Sequence, residues 1–247
     1  MRIDKTKCAG CGQCVEFCTL GNIAARRRNP QNGKLYYEID EDECVDCGVC
    51  LRAAVCDAGA LFMPDYQWPR TVRSAFSDPM IEHRDTKVAG RGTEEIKTNE
   101  ITGRIKRGFV GISCEMGRPG VGARFSDIEK MAKALARLDV EFEPNNPCTM
   151  LMADAAAGVF KDEVRREKVL SAIIEMIVPL AKMAAVLTTI RSAADEMDCV
   201  FSVDLITVLE ADNQIPSLPV LEALRWPYLP NGKMNTGLGR PLAKEAE

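Results

Sequence analysis

The sequence predicts an α+β protein in four stretches: a compact cysteine-rich unit over residues 1–63, a long irregular arm over 64–107, an α/β sandwich over 108–210 and a Gly/Pro-rich extension over 211–247. Three observations carry that prediction. Eight of the eleven cysteines lie within the first 56 residues. No helical or strand period persists between 64 and 107. From 108 onward the apolar residues recur alternately at strand and helix spacing.

The totals narrow the function classes. A hydrophobic fraction of 46% supports a true globular core, and a net charge of -4 gives no basic footprint for nucleic acid. The first residues, MRIDKTKC, contain no apolar stretch of the kind that opens a secretion signal. The most apolar run, 176–190, carries Lys182 at its centre and falls short of a membrane span. A cytoplasmic protein is expected, and clustered thiols in that compartment point to metal or redox chemistry rather than disulfides.

Within the cysteine-rich unit the chain repeats itself. RIDKTKCAGCGQC aligns with EIDEDECVDCGVC with every shared residue displaced by 36 positions: Ile3 on Ile39, Asp4 on Asp40, Cys8 on Cys44, Cys11 on Cys47, Gly12 on Gly48 and Cys14 on Cys50. Each half reads as a short strand leading into a tight, cysteine-lined turn. Three thiols at i, i+3 and i+6 wrap one loop around an object larger than a single ion. Structural zinc usually draws two ligands from each of two separated knuckles, so it fits this spacing poorly. A [4Fe–4S] cube, with a remote fourth thiol closing its far corner, fits it well. Gly12 and Gly48 allow the backbone to turn beside the sulfurs.

On these motifs, residues 1–63 resemble a bacterial-type ferredoxin domain carrying two [4Fe–4S] clusters. The resemblance implies crossed ligation, with Cys8, Cys11, Cys14 and Cys56 on one cluster and Cys44, Cys47, Cys50 and Cys18 on the other. Two departures stand out. Thr19 and Asp57 follow the fourth cysteines, where the family usually has proline. Five residues, LRAAV, separate Cys50 from Cys56 where three are expected, so that strict register falls on Ala54. The stretch is read as a two-residue insertion that bulges ahead of Cys56; without Cys56 the first cluster would be a three-iron centre.

A cube with four thiolates has no open corner for substrate, which leaves one-electron storage and transfer. The acidic stretch EIDEDECVDC around one loop is expected to push that potential down. ARRRNP, residues 25–30, reads as a solvated loop or as a docking patch for an acidic redox partner. In the arm, Trp68, Phe76 and Met80 argue against a plain tether and for a segment lying along its own domain or embracing another subunit. His83, the single histidine, reads as a solvated loop residue.

The sandwich is predicted from its periods. GFVGISC is a strand, followed by a helix over 126–138 with Ile128, Met131, Leu135 and Leu138 on one face and Ser126 with Glu129 as a capping box. VEFE and CTMLMA are strands broken at PNNP, and KVLSAIIEMIV is one long strand. Pro179 opens a second helix striped by Leu180, Met183, Leu187, Ile190, Ala194 and Met197, and CVFSVDLITVL is the closing strand. The order is that of a split β-α-β (βαββαβ, ferredoxin-like topology) sandwich. Cys114, Cys148 and Cys199 fall in these strands as small buried apolar residues.

Two glycine-rich loops, GRPGVGARFSD and NGKMNTGLGR, together offer Arg118, Arg124, Lys233 and Arg240 as an anion site for a flavin phosphate, a nucleotide or acyl-CoA, or are simply tight turns. Neither matches a phosphate-binding fingerprint. The expected function is an electron-relay subunit serving the catalytic subunit of a cytoplasmic oxidoreductase or other redox proteins, in an anaerobic or oxygen-protected setting, with self-association left open. A self-sufficient reductase with flavin at the glycine loops, or a redox-responsive regulatory protein, are the alternatives.

Overall fold

The computed structural model describes residues 1–30, 33–82, 99, 103–118 and 120–229. Its cysteine-rich unit closes on itself: β1 (Arg2–Ile3) pairs antiparallel with β4 (Leu61–Phe62), joining the two ends of the repeat. Between them β2 (Ala25–Arg28) and β3 (Leu35–Glu38) form an antiparallel hairpin, so ARRRNP is largely strand rather than loop. The short helix α1 (Val49–Arg52) follows the third cysteine of the second half. Met1, Ile23, Cys50 and Leu61 are buried at the centre, with Cys14, Cys18, Cys44 and Cys56 packed half-buried against them.

The arm departs from its expected irregularity. Residues Thr71–Ser77 form a helix, α2, whose Val72 and Phe76 enter the main hydrophobic core. Phe76 meets Phe125 edge-on at 5.5 Å, and Phe125 meets Phe160 at 5.4 Å. Such aromatic contacts add to the burial of the rings. A seven-residue helix with two apolar anchors is too short to produce a readable period, which is why the sequence hid it. His83 lies outside the described residues.

Beyond the arm the elements are β5 (Phe109–Met116), β6 (Ala123–Arg124), α3 (Phe125–Ala136), β7 (Glu141–Phe142), α4 (Pro147–Met150), β8 (Met152–Asp154), β9 (Val159–Phe160), β10 (Lys168–Val169), β11 (Ala172–Pro179), α5 (Met183–Ala194), β12 (Phe201–Thr207) and α6 (Leu218–Ala223). One four-stranded sheet runs in the order β12-β5-β11-β7, antiparallel at every pairing. Strand alternation sends Val110, Ile112, Cys114 and Met116 into the core with Ile128, Met131 and Leu135 of α3 and Met183, Val186, Leu187 and Ile190 of α5. No helix among the described residues is long and apolar enough to cross a membrane.

Several local expectations are corrected. Asn146 caps α4 by accepting from the Cys148 amide at 2.7 Å, with Pro147 in the first turn, so Cys148 sits on a helix and not a strand. Cys199 lies in the loop before β12. The predicted strand over 168–178 is split into β10 and β11, and the Leu170 amide between them donates to Ser77 Oγ at 2.8 Å. Pro179 ends β11, and a 3-10 turn over Leu180–Lys182 precedes α5. The capping box does not form. The backbone over 165–167 folds across the start of α3, where the carbonyls of Glu167 and Arg165 accept from the Phe125 and Ser126 amides. Glu129 instead pairs with Arg165 and Lys133 and accepts from the Phe160 amide.

Candidate metal centres

Each half of the repeat is built by the same local devices. The Cys8 amide donates to Asp4 O at 3.0 Å, and the Cys44 amide to Asp40 O at 2.9 Å. Gly12 and Gly48 then take φ of +82° and +70°, a left-handed turn that costs glycine least. A Cβ at Gly12 would stand 2.6 Å from the Tyr37 hydroxyl, and one at Gly48 2.7 Å from Asp78 Oδ2, so these side-chain ends would have to move in addition to the backbone strain.

After the third cysteine the halves differ and then rejoin. The first half passes through a 3-10 turn over Val15–Phe17, the second through α1, closed by Ala54 at φ 53°. Ala54 thus turns the chain, and Cys56 takes the place equivalent to Cys18. Gly21 N donates to Cys18 O at 3.1 Å and Gly59 N to Cys56 O at 2.8 Å. Asn22 N donates to Cys18 Sγ at 3.1 Å, and Ala60 N to Cys56 Sγ at 3.2 Å. Amide donors of this kind stabilise a ligating thiolate and tune the potential of its metal.

The turns gather the thiols into two cavities. Cys8, Cys11, Cys14 and Cys56 line the first, beside Ile3, Tyr37 and Leu61. Cys18, Cys44, Cys47 and Cys50 line the second, beside Met1, Ile23 and Ile39. Each cavity therefore holds three cysteines from one half and the last cysteine of the other. Among the described residues, no three His, Cys, Asp or Glu side chains converge as a single ion would require. Burial pushes the Cys14 thiol up, and charge on Cys8, Cys11 and Cys56 pushes it further. Burial followed by Cys47, Cys44 and Cys18 drives Cys50 up to about 12. Four thiolates this close are tolerable only around positive charge, which bound iron supplies.

The family model of the 4Fe-4S dicluster domain matches residues 7–60. An uncharacterized ferredoxin of Methanocaldococcus jannaschii is 34% identical over 61 residues, which is 25% of this chain and 73% of that protein. Through this segment the chain belongs to the 4Fe-4S dicluster ferredoxins. It is accordingly an iron–sulfur protein with an electron-transfer role. No solved structure matches the chain, and the family match leaves the residues beyond its ferredoxin domain unassigned.

Around the second cavity the ferredoxin domain is braced from outside. Arg73 of α2, only 4% exposed, donates Nη1 to the carbonyls of Glu41 (3.1 Å), Asp42 (2.8 Å) and Cys44 (2.8 Å) and pairs through Nε with Glu167. Arg70 grips Asp46 at 2.6 Å, and the Met1 ammonium pairs with the same carboxylate. Burial alone would raise the Asp46 carboxyl, but Arg70 and the ammonium outweigh it and hold it below the usual range. Glu43 receives Lys168 at 2.5 Å and also Arg124; Lys168 is the main cause of its lowered carboxyl pKa. Arg52 links Asp78 at 2.6 Å with the Cys47 carbonyl at 2.8 Å. With Arg2 on Glu41 at 2.8 Å, much of the acidic stretch is neutralised.

Of the four cationic residues at the glycine loops, Arg118 pairs with Glu115, and Arg124 holds Glu43 and the Arg166 carbonyl. Lys233 and Arg240 lie outside the described residues. Burial raises the Cys114 thiol to about 12 and Cys199 to about 11, and pushes Cys148 up as well, which leaves all three poor nucleophiles. Sequence reasoning missed Arg70, Arg73 and Lys168, whose partners lie far along the chain. The pair Arg70 and Arg73, one helical turn apart, was the only local signal.

Proposed function

We propose that the chain is the electron-relay subunit of a larger cytoplasmic oxidoreductase working in an anaerobic setting, passing single electrons through two [4Fe–4S] clusters. Cys8, Cys11, Cys14 and Cys56 hold one cluster, and Cys44, Cys47, Cys50 and Cys18 hold the other. The observation that carries this reading is the sorting of eight cysteines into two cavities, each closed by the last cysteine of the opposite half. Saturated cubes exchange electrons and offer no site for substrate. The rest of the chain, read as a split β-α-β sandwich on the strength of its strand order, provides the surface that meets the catalytic subunit.

Anaerobic reconstitution tests the cofactor reading. Two cubes require on the order of eight irons and eight sulfides per chain, and Cys56→Ser is expected to leave the first site at three irons or empty while Ala54→Ser retains the full load. Four irons in the wild type, or zinc in place of iron, would remove it. Native mass spectrometry of the protein from its own host tests the subunit reading: a bound foreign chain supports it. A lone chain with a yellow chromophore that survives iron removal would move the assignment to a flavin-dependent reductase.

A further inference from the structure

Five exposed cations of the ferredoxin domain lie on or beside the β2–β3 hairpin, on both of its faces, while exposed Arg2 and Arg52 lie toward the second cavity. Lys5 and Lys7 before the first cysteine, Arg27 and Arg28 on β2 and Lys34 ahead of β3 are all exposed. The register sets Arg28 opposite Leu35 and Arg27 opposite Tyr36, and Lys5 Nζ lies 5.1 Å from the centre of the Tyr36 ring. The same hairpin leans on the first cysteine loop. A Cβ at Gly10 would come 2.9 Å from the Leu35 carbonyl, and Tyr37 lines the first cavity. The basic strand and the first cavity therefore share a flank.

The carboxylates on that flank do not cancel the charge. Asp4 pairs with Lys7 at 3.6 Å, while Glu38 serves both Lys5 at 3.2 Å and Arg27 at 2.8 Å. Asp57 stands at the cavity rim. Among the described side chains named here, five cations stand against three carboxylates, an excess of two positive charges in a chain whose net charge is -4. Arg28 donates to the Gly33 carbonyl at 3.1 Å, which fixes the guanidinium along the hairpin and leaves its charge intact. Access follows the same division. Cys11 of the first cavity is exposed, whereas the cysteines of the second are half-buried or buried. Around the second cavity Arg70, Arg73 and Lys168 are turned inward onto carboxylates and carbonyls of the chain itself.

We propose that the basic hairpin flank is the docking surface for an acidic electron carrier, and that the first cysteine site is the one exchanging electrons with it; this rests on the relay reading above. In the exchange one electron leaves the reduced carrier and one enters the oxidised cluster, with no bond made or broken. Tunnelling falls steeply with distance, so the carrier must settle beside the most accessible cluster, and opposite charge steers it there.

Stopped-flow reduction of the anaerobically reconstituted full chain tests this, with an acidic flavodoxin hydroquinone as the carrier and a photogenerated deazaflavin radical as a small uncharged reductant. The flavodoxin rate is expected to fall about tenfold from low salt to molar salt. At low salt the double variant Arg28→Glu/Lys34→Glu is expected to lose about tenfold in the flavodoxin rate, with its iron content and deazaflavin rate unchanged. An equal reversal at exposed Lys106 and Arg137 of the C-terminal unit, Lys106→Glu/Arg137→Glu, is expected to stay within about twofold of wild type. The inference is overturned if the two double variants behave alike, if salt accelerates the reaction, or if the hairpin variant loses only binding to phosphatidylglycerol vesicles. A wild-type chain that holds its iron yet accepts no electrons from either reductant removes the relay reading itself. A chain reduced by both, with a flavodoxin rate indifferent to the hairpin charges, removes the docking surface alone.

Discussion

Among the described residues, the core around the four-stranded sheet contains twenty-nine buried side chains, while residues 1–63 bury seven apolar ones, Cys50 among them. Ordering a residue costs about 1–2 kcal/mol of backbone entropy, a cost that so few apolar side chains cannot offset for a unit of this length. The sheet domain is stabilised in the usual way, by apolar area removed from water. The ferredoxin domain is arranged around two cavities, each lined by four cysteines, and clusters held there would complete its interior. One unit is held by its apolar core; the other is built around its site.

The largest test of that contrast is iron removal. Chelation under reducing conditions is expected to strip hydrogen-exchange protection from residues 1–63 by about a hundredfold or more while β5 and β11 keep theirs, because metal binding there is folding free energy. Equal loss in both units would break the comparison. Next is Phe125→Ala, which opens a void between Phe76 and Phe160. It is expected to cost about 3–5 kcal/mol in a denaturant titration of the C-terminal unit, with iron content preserved.

Arg73→Lys sharpens the comparison where the two units touch. Lysine keeps the charge but cannot reach three carbonyls and Glu167 together, and the loss is expected at about 1–3 kcal/mol. Iron release to a chelator should become biphasic, with the second cavity emptying first; a single unchanged phase would show that the brace does not hold the Cys44 loop. The smallest effect is at Ala54, held at φ 53°. Ala54→Gly is expected to stabilise the iron-loaded chain by less than about 1 kcal/mol in a thermal melt, and Ala54→Val to destabilise it. A neutral result for both would place the insertion's strain elsewhere.

How much was legible in advance depended on the range of the interactions. The thiol spacing could be read because cluster chemistry constrains residues within one turn, and the insertion before Cys56 could be read against its own repeat. The stripes Ile128–Met131–Leu135 and Met183–Leu187–Ile190 were visible because each helix spans three turns. At α4 the signals are present but ambiguous: Asn146 before Pro147 is a cap followed by a first-turn proline, and the same PNNP residues equally spell a turn between strands. α2 left no trace, since Val72 and Phe76 are too few to define a period. Arg73 left only its spacing from Arg70, since its partners are 29 to 94 positions away. The lost capping box was likewise decided at long range, by carbonyls at 165 and 167.

The exchange of fourth cysteines between the halves has one more consequence. A nick between Asn29 and Gly33, at the end of the hairpin, would leave two pieces, one carrying Cys8, Cys11, Cys14 and Cys18 and the other Cys44, Cys47, Cys50 and Cys56. Neither piece contains all the sulfurs of either cavity. With clusters in place, iron and sulfide would be the sole covalent connection between the fragments, added to the β1–β4 and β2–β3 pairings and acting as an inorganic suture that chelation unpicks and fresh iron re-ties.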